Sequence, residues 1–265
     1  PYLSKKWQEN CEEERLLGVS ITGQMDHLKV ITADALKAMK ARALKVARKA
    51  SKIMGINMPA AITCVKPSGT VSQLVDCASG LHARYAKYYI RRYRISSSDP
   101  LFKMMKTQGL KLNPENGQRR KDWNSQARGT AGACTIYRDG EKWSEDKVTT
   151  WVVEFPIKSP AHCITRDKLT ALEQLDHYKL LQENWCEHNA SCTVYVKDDE
   201  WFKVGNWVYE NWDIINGVAF LPYDNSSYEQ TPYEEIDRVK YTELKKAMPS
   251  IDYSKLHEFE VEDTT

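Results

Sequence analysis

The sequence contains no Cys-x-x-Cys pair, no apolar run long enough to cross a bilayer, no large excess of either charge and no detectable internal repeat. Its seven cysteines, Cys11, Cys64, Cys77, Cys134, Cys163, Cys186 and Cys192, are odd in number and lack the tight spacing of a disulfide scaffold. A reducing, cytoplasmic setting is the simplest inference. A metal set can be assembled from Cys186, His188 and Cys192 with His162 and Cys163, but nothing anchors it, and free cysteine commonly serves as a small buried apolar residue; no metal is expected. A mean hydropathy of −0.60 and the absence of a spanning run exclude an integral membrane protein. Pro1-Tyr2-Leu3-Ser4-Lys5-Lys6-Trp7 has no secretory apolar core, and the start without methionine reads as a processed, trimmed or split product. A net charge of +2 denies the chain polyelectrolyte character as a whole.

What is present supports one domain-sized α/β unit over residues 1–265, since a chain of this length with 42% hydrophobic residues can bury a sizeable core. Glycines 18 and 23 place a turn in the Leu16 to Leu28 segment. A long helix runs from about Thr32, a capping residue, to Met54, where Gly55 stops it; Leu36, Met39, Ala43, Val46 and Ala47 form its apolar stripe. Ser96-Ser97-Ser98-Asp99-Pro100 opens a short helix over Leu101 to Gln108, and Asn113 to Gly132 reads as a long surface loop. Thr149 to Ile157 suits a central strand in which an inward-facing Glu154 needs a partner. Leu169 to Glu187 is helical, Cys192 to Val196 a strand, Asp198 to Trp212 a helix, and Gly217 to Pro222 a buried terminal strand. Residues 225–265 are expected to wrap the surface as loops and short helices.

Ala61-Ile62-Thr63-Cys64-Val65-Lys66-Pro67-Ser68-Gly69-Thr70-Val71-Ser72-Gln73-Leu74 carries the chemistry: a strand breaks into a small-residue turn and restarts as a helix. Pro67 favours the turn, Gly69 permits close backbone approach, and Thr70 and Ser72 suit a helix start. Amides at such a start accept an anion, here proposed on Ser68, Gly69, Thr70, Val71 and Ser72, with Lys66 adding a charged contact. The missing Gly-Lys-Ser/Thr ending disfavours a conventional ATPase, and a purely structural connection stays an equal reading of the spacing. Farther on, Arg84-Tyr85-Ala86-Lys87-Tyr88-Tyr89-Ile90-Arg91-Arg92-Tyr93-Arg94 interleaves cations with aromatics, as does Arg119-Arg120-Lys121-Asp122-Trp123. That pattern fits a single-stranded nucleic-acid module, one nucleotide's pocket wall, or a strand with Tyr88, Ile90 and Arg92 on one face and Tyr89, Arg91 and Tyr93 on the other.

The loop, continued through Asp76-Cys77-Ala78-Ser79-Gly80-Leu81-His82-Ala83-Arg84 to Arg92, resembles the adenosylcobalamin-dependent (class II) ribonucleotide reductases, especially the monomeric ribonucleoside-triphosphate reductase branch. Leu17 to Gly23, His188 to Val196, Glu210-Asn211-Trp212-Asp213 and Phe220-Leu221-Pro222-Tyr223-Asp224 fit the same family in the same order. The resemblance is to the C-terminal portion, and it implies the C-terminal half of a ten-stranded α/β barrel. It further implies adenosylcobalamin as cofactor, a ribonucleoside triphosphate as substrate, the remaining N-terminal part of the reductase and a thioredoxin-like reductant as partners, and nucleic acid set aside. His82, Arg84, Asn189 and Pro222 join Lys66 as residues of a substrate or cofactor pocket on this reading. The family's radical cysteine lies in an Asn-x-Cys-x-Glu loop. The nearest sequence here, Asn184-Trp185-Cys186-Glu187-His188, has histidine in place of the glutamate and ends a helical run, so no catalytic residue is assigned and the chain alone is expected to be inactive.

Overall fold

The computed structural model describes residues 2–69, 71–116, 118, 137–138, 141–142, 145–223 and 229–260. In chain order the helices are α1 (Lys5–Glu14), α2 (Ala33–Met54), α3 (Val71–Leu74), α4 (Pro100–Thr107), α5 (Ala171–Asn184), α6 (Trp201–Glu210) and α7 (Arg238–Ala247). The strands are β1 (Val19–Ser20), β2 (Thr63–Cys64), β3 (Tyr88–Ser96), β4 (Leu112–Pro114), β5 (Tyr137–Arg138), β6 (Glu141–Lys142), β7 (Thr150–Lys158), β8 (Cys192–Val196), β9 (Val218–Pro222) and β10 (Tyr233–Glu235). The fold is mixed α/β. It divides into two compact units, Pro1–Ala86 with Pro160–Asp224, and Lys87–Ser159 with Asn225–Thr265.

In the first unit β1 pairs with β2 and β8 with β9, both in parallel, and a parallel bridge between Val65 and Ala190 links the two pairs. The resulting run β1, β2, β8, β9 is crossed by helices, as parallel pairing requires. The caps are where the residue types put them. Thr32 Oγ1 accepts the Ala35 amide at 3.2 Å, Gly55 closes α2 at φ 66°, and Thr170 with Glu173 forms a reciprocal capping box on α5. Alternate residues of β8, Cys192, Val194 and Val196, are buried against Leu36 of α2 and Leu175, Tyr178 and Leu181 of α5. Each such aliphatic side chain contributes about 1.5–3 kcal/mol when removed from water.

Two expectations change here. Of the α2 stripe, Leu36 and Ala47 are buried but Met39 and Val46 are exposed, because the helix meets its neighbours along a narrower line. The strand expected to be buried at Gly217 to Pro222 forms, as β9, yet Ala219, Leu221 and Pro222 are exposed: β9 pairs with β8 alone among the described residues.

The second unit is built on a four-stranded antiparallel sheet in the order β10-β3-β7-β4. Its register alternates cleanly. Ile95, Trp151, Val153 and Leu112 face Phe102 and Met105 of α4, while Ile90, Arg92, Asn113, Glu154, Pro156 and Glu234 share the opposite face. Glu154 finds the partner its burial demands in Arg92, whose Nε lies 2.9 Å from Oε1. Leu112–Pro114, partly assigned to a loop from sequence, forms edge strand β4, where Pro114 has no amide to leave unpaired; the rest of that loop beyond Asn116, apart from Gln118, falls outside the described residues, as does the Arg119-to-Trp123 patch. β5 and β6 form a separate antiparallel pair. Within residues 229–260, β10 joins the sheet through β3 and α7 follows it.

Candidate functional site

β2 ends beside Val65, Pro67 turns the chain, and the one-turn helix α3 begins at Val71, so the strand–turn–helix pattern is present. Thr70 lies outside the described residues. Gly69 and Val71 are exposed, and a Cβ built on Gly69 meets nothing within 4 Å. The turn is shaped from within. Ser68 N–H donates to Ser79 Oγ at 2.8 Å, Ser72 N–H to Ser68 Oγ at 2.8 Å, and Ser72 Oγ to the Ser68 carbonyl at 3.0 Å. The buried Ser72 is thus committed to the turn itself, whereas the Ser68 hydroxyl, accepting one bond, retains a proton to donate.

Lys66 is exposed, and its amide donates to Ser20 Oγ at 3.1 Å. Its ammonium donates to Asn189 Oδ1 at 2.5 Å and to Ser191 Oγ at 2.9 Å, leaving a third donor. Asn189 is therefore brought beside the turn by its bond to Lys66. Behind the turn, Gly80 sits at φ 56°, its N–H donating to Thr22 Oγ1, and a Cβ there would lie 2.9 Å from the Lys66 carbonyl. Gly217 packs as closely behind Asn189. Its added Cβ would collide with the Ala190 carbonyl and stand 2.6 Å from Asn189 Nδ2.

The remaining candidates lie elsewhere in their bonding. Thr193 N–H donates to His82 Nε2 at 2.9 Å, which assigns the proton to Nδ1 opposite the Ser79 carbonyl at 3.0 Å. Burial pushes the imidazole pKa down and keeps it neutral. Arg84 is buried, forming a bidentate pair with buried Asp26 at 3.1 and 3.0 Å and a further pair with Asp76 at 2.9 Å. In these contacts both residues brace the turn's surroundings. Pro222 ends β9 on the surface. Of the cation-rich stretch, Arg92 is buried between Glu154 and Glu234, and Arg91 stacks over Tyr233 at 4.4 Å.

Sequence reasoning missed Ser20, Thr22, Ser79 and Ser191, which fix the turn from positions up to 125 residues away. It also missed Arg166, buried 3.7 Å from the Tyr85 ring and 5.0 Å from that of Tyr223. No local pattern signals these. Cys186 sits buried just beyond α5, its thiol pushed up to about 12 by burial first and by Cys64 second; burial likewise pushes Cys192 up to about 12. Among the described residues no group of three His, Cys, Asp or Glu side chains is placed to hold a metal ion.

No protein-family model matches the sequence. The adenosylcobalamin-dependent ribonucleoside-triphosphate reductase of Levilactobacillus brevis is 29% identical over 184 residues, 68% of this chain and 21% of its own length. That of Lactobacillus acidophilus is 30% identical over 198 residues, 73% of this chain and 23% of its own. A probable enzyme of the same name from Dictyostelium discoideum is 29% identical over 210 residues, 76% and 23% respectively. A crystal structure of a B12-dependent (class II) ribonucleotide reductase superposes with a TM-score of 0.69 at 23% identity, covering 100% of this chain and 37% of that one. The resemblance carried by the motifs is thus shared with curated reductases over about 70% of the chain, and the fold with a class II enzyme. The chain spans about a fifth of the length of the curated relatives it matches.

Proposed function

We propose that this chain is the C-terminal portion of the catalytic barrel of an adenosylcobalamin-dependent ribonucleoside-triphosphate reductase, and that its part in the reaction is to hold the substrate's phosphates. Support for the barrel comes from the parallel run β1, β2, β8, β9 and from the class II neighbour. In parallel α/β folds ligands bind beyond the carboxyl ends of strands. The turn after β2 stands at such an end.

The observation that carries the reading is Lys66, held by Asn189 and Ser191 beside an exposed Gly69 turn. Its remaining ammonium proton, the Ser68 hydroxyl and the amides of Gly69, Thr70 and Val71 would contact phosphate oxygens, while Ser72 holds the turn in shape. Fixed donors keep the ribose still relative to a radical formed nearby, which favours reaction at the intended C–H bond. Adenosylcobalamin supplies that radical when bound. The cavities between α1 and α2 and between α5 and α6, about 400 and 470 Å³, lie away from the strand ends and offer no place for a corrin beside the turn. We assign the radical cysteine to the remaining N-terminal part of the reductase, and no step here is routed through the cofactor or a thioredoxin-like reductant.

Calorimetric titration of ATP, CTP and tripolyphosphate tests the loop, on this chain and on the chain combined with the N-terminal part of a relative. Because Gly69 has open space at its Cβ position, Gly69→Val is expected to fold with an unchanged melting temperature and to lose at least tenfold in triphosphate affinity. Equal affinity in the variant removes the phosphate assignment.

A further inference from the structure

His82 stands where a strand ladder stops. Ser191 N–H, just before β8, donates to the Val65 carbonyl at 2.8 Å, while Cys192 N–H turns the other way, to the Gly217 carbonyl at 2.9 Å. Amides alternate in this manner along a strand, so Thr193 N–H faces the β2 side again. By that point Pro67 has turned the β2 chain away, and the acceptor that Thr193 meets is His82 Nε2 at 2.9 Å. The imidazole takes the place of a strand carbonyl.

The other side of the ring reaches the anchor of the phosphate turn. His82 Nδ1 lies 3.0 Å from the Ser79 carbonyl, which also accepts the His82 backbone amide at 2.9 Å. Ser79 Oγ in turn accepts Ser68 N–H at 2.8 Å and donates to the Ser68 carbonyl at 3.1 Å. The residues leading into β8 meanwhile hold Lys66, through Asn189 Oδ1 and Ser191 Oγ. Two of the groups proposed for phosphate therefore have different supports: Ser68 hangs from Ser79, and Lys66 from the start of β8. His82 spans the two supports with one donor and one acceptor. Neutral imidazole with its proton on Nδ1 supplies that pair, and burial, which pushes the pKa down, keeps the ring neutral.

We infer, on the phosphate reading of this turn, that His82 is a positioning residue of the same site: it fixes Ser68 relative to Lys66 by tying Ser79 to Thr193. With both ring nitrogens engaged, it touches no phosphate itself. A triphosphate is held at two points only while their separation matches the spacing of its oxygens, and shifting one support by about 1 Å is enough to lower affinity without unfolding the chain. A histidine that merely stabilised the fold would change the melting temperature alone.

Calorimetric titration of tripolyphosphate, well below the melting temperature of every variant, separates these roles on the full chain, alone and combined with the N-terminal part of a relative. His82→Leu is expected to lose at least tenfold in affinity, and His82→Gln, which restores one donor and one acceptor on a neutral head, to come within threefold of wild type. Thr170→Ala, which removes the α5 cap, is expected to lower the melting temperature and leave affinity unchanged. Ser79→Ala is expected to weaken binding too, and its double variant with His82→Leu to lose clearly less than the product of the two losses, because both act through Ser68. Amide exchange in the ligand-free chain reads the strut directly: Ser68 N–H is expected to exchange at least tenfold faster in His82→Leu and at the wild-type rate in Thr170→Ala. Unchanged Ser68 exchange or unchanged affinity in His82→Leu, losses that multiply in the double variant, or a His82→Gln as weak as His82→Leu would each overturn the inference. Equal affinity of wild type and Gly69→Val would instead remove the phosphate assignment on which it rests, and the exchange measurement, which needs no ligand, tells the one failure from the other.

Discussion

His177 shows how a single buried residue sets a condition on stability. It is 7% exposed, its Nε2 lies 2.8 Å from Gln24 Oε1, and burial pushes its pKa from 6.5 to about 4. The unfolded chain therefore binds a proton between those values that the folded chain refuses, and stability must fall as pH falls through this window. The drop corresponds to about 3 kcal/mol once pH is below both values. His82, shifted in the same direction by burial, adds to the loss. Urea midpoints measured from pH 7 to 5 are expected to decrease, and His177→Gln, which can still donate to Gln24, to flatten that slope. A variant with the wild-type slope would place the titration elsewhere. Arg84 makes the complementary point about reading residues: its cationic type attracted a ligand-binding reading, while the two aspartates that claim it lie 58 and 8 positions away and carry no local signal.

At the level of elements, local chemistry was legible and long-range pairing was not. Capping residues and the glycine at the end of α2 placed α2 and α4 within a residue or two, because a cap is decided by side chains three positions apart, whereas α5, read from its apolar spacing as Leu169 to Glu187, runs from Ala171 to Asn184. The alternation in β3 and the partner required by Glu154 were also readable. Strand β10, Tyr233-Glu234-Glu235, was not, since so short and acidic a segment becomes a strand only by pairing with β3. The site divides the same way. Its turn was visible in the sequence, but the serines that shape it and hold Lys66 are known only from the fold. Gly217 tests that buttress. Gly217→Ala is expected to cost about 1–3 kcal/mol by overpacking against the Ala190 carbonyl and Asn189, and to weaken triphosphate binding by displacing Lys66's partner. Gly205→Ala on α6, where an added Cβ meets nothing within 4 Å, is expected to stabilise by about 0.5–1 kcal/mol. Equal melting temperatures for the two variants would discard the buttress.

For the molecule as a whole, the proposed division of labour makes a prediction about turnover. The chain carries no Asn-x-Cys-x-Glu sequence, and its nearest cysteine, Cys186, is buried with a thiol pushed up to about 12. Reduction chemistry runs through thiolates or thiyl radicals at accessible sulfur, and a buried thiol with so high a pKa is neither deprotonated at pH 7 nor exposed to a partner. The chain supplied with adenosylcobalamin, a dithiol and CTP is therefore expected to form no 2′-deoxy product by chromatography. Adding a polypeptide that bears the radical-cysteine loop of a relative is expected to give product, and Gly69→Val to lower it mainly through a raised KM, because the turn acts on binding rather than on the radical step. Product from the chain alone would overturn the assignment of the radical centre elsewhere. Product from the combination with Gly69→Val undiminished would keep the reductase reading and remove the turn from it.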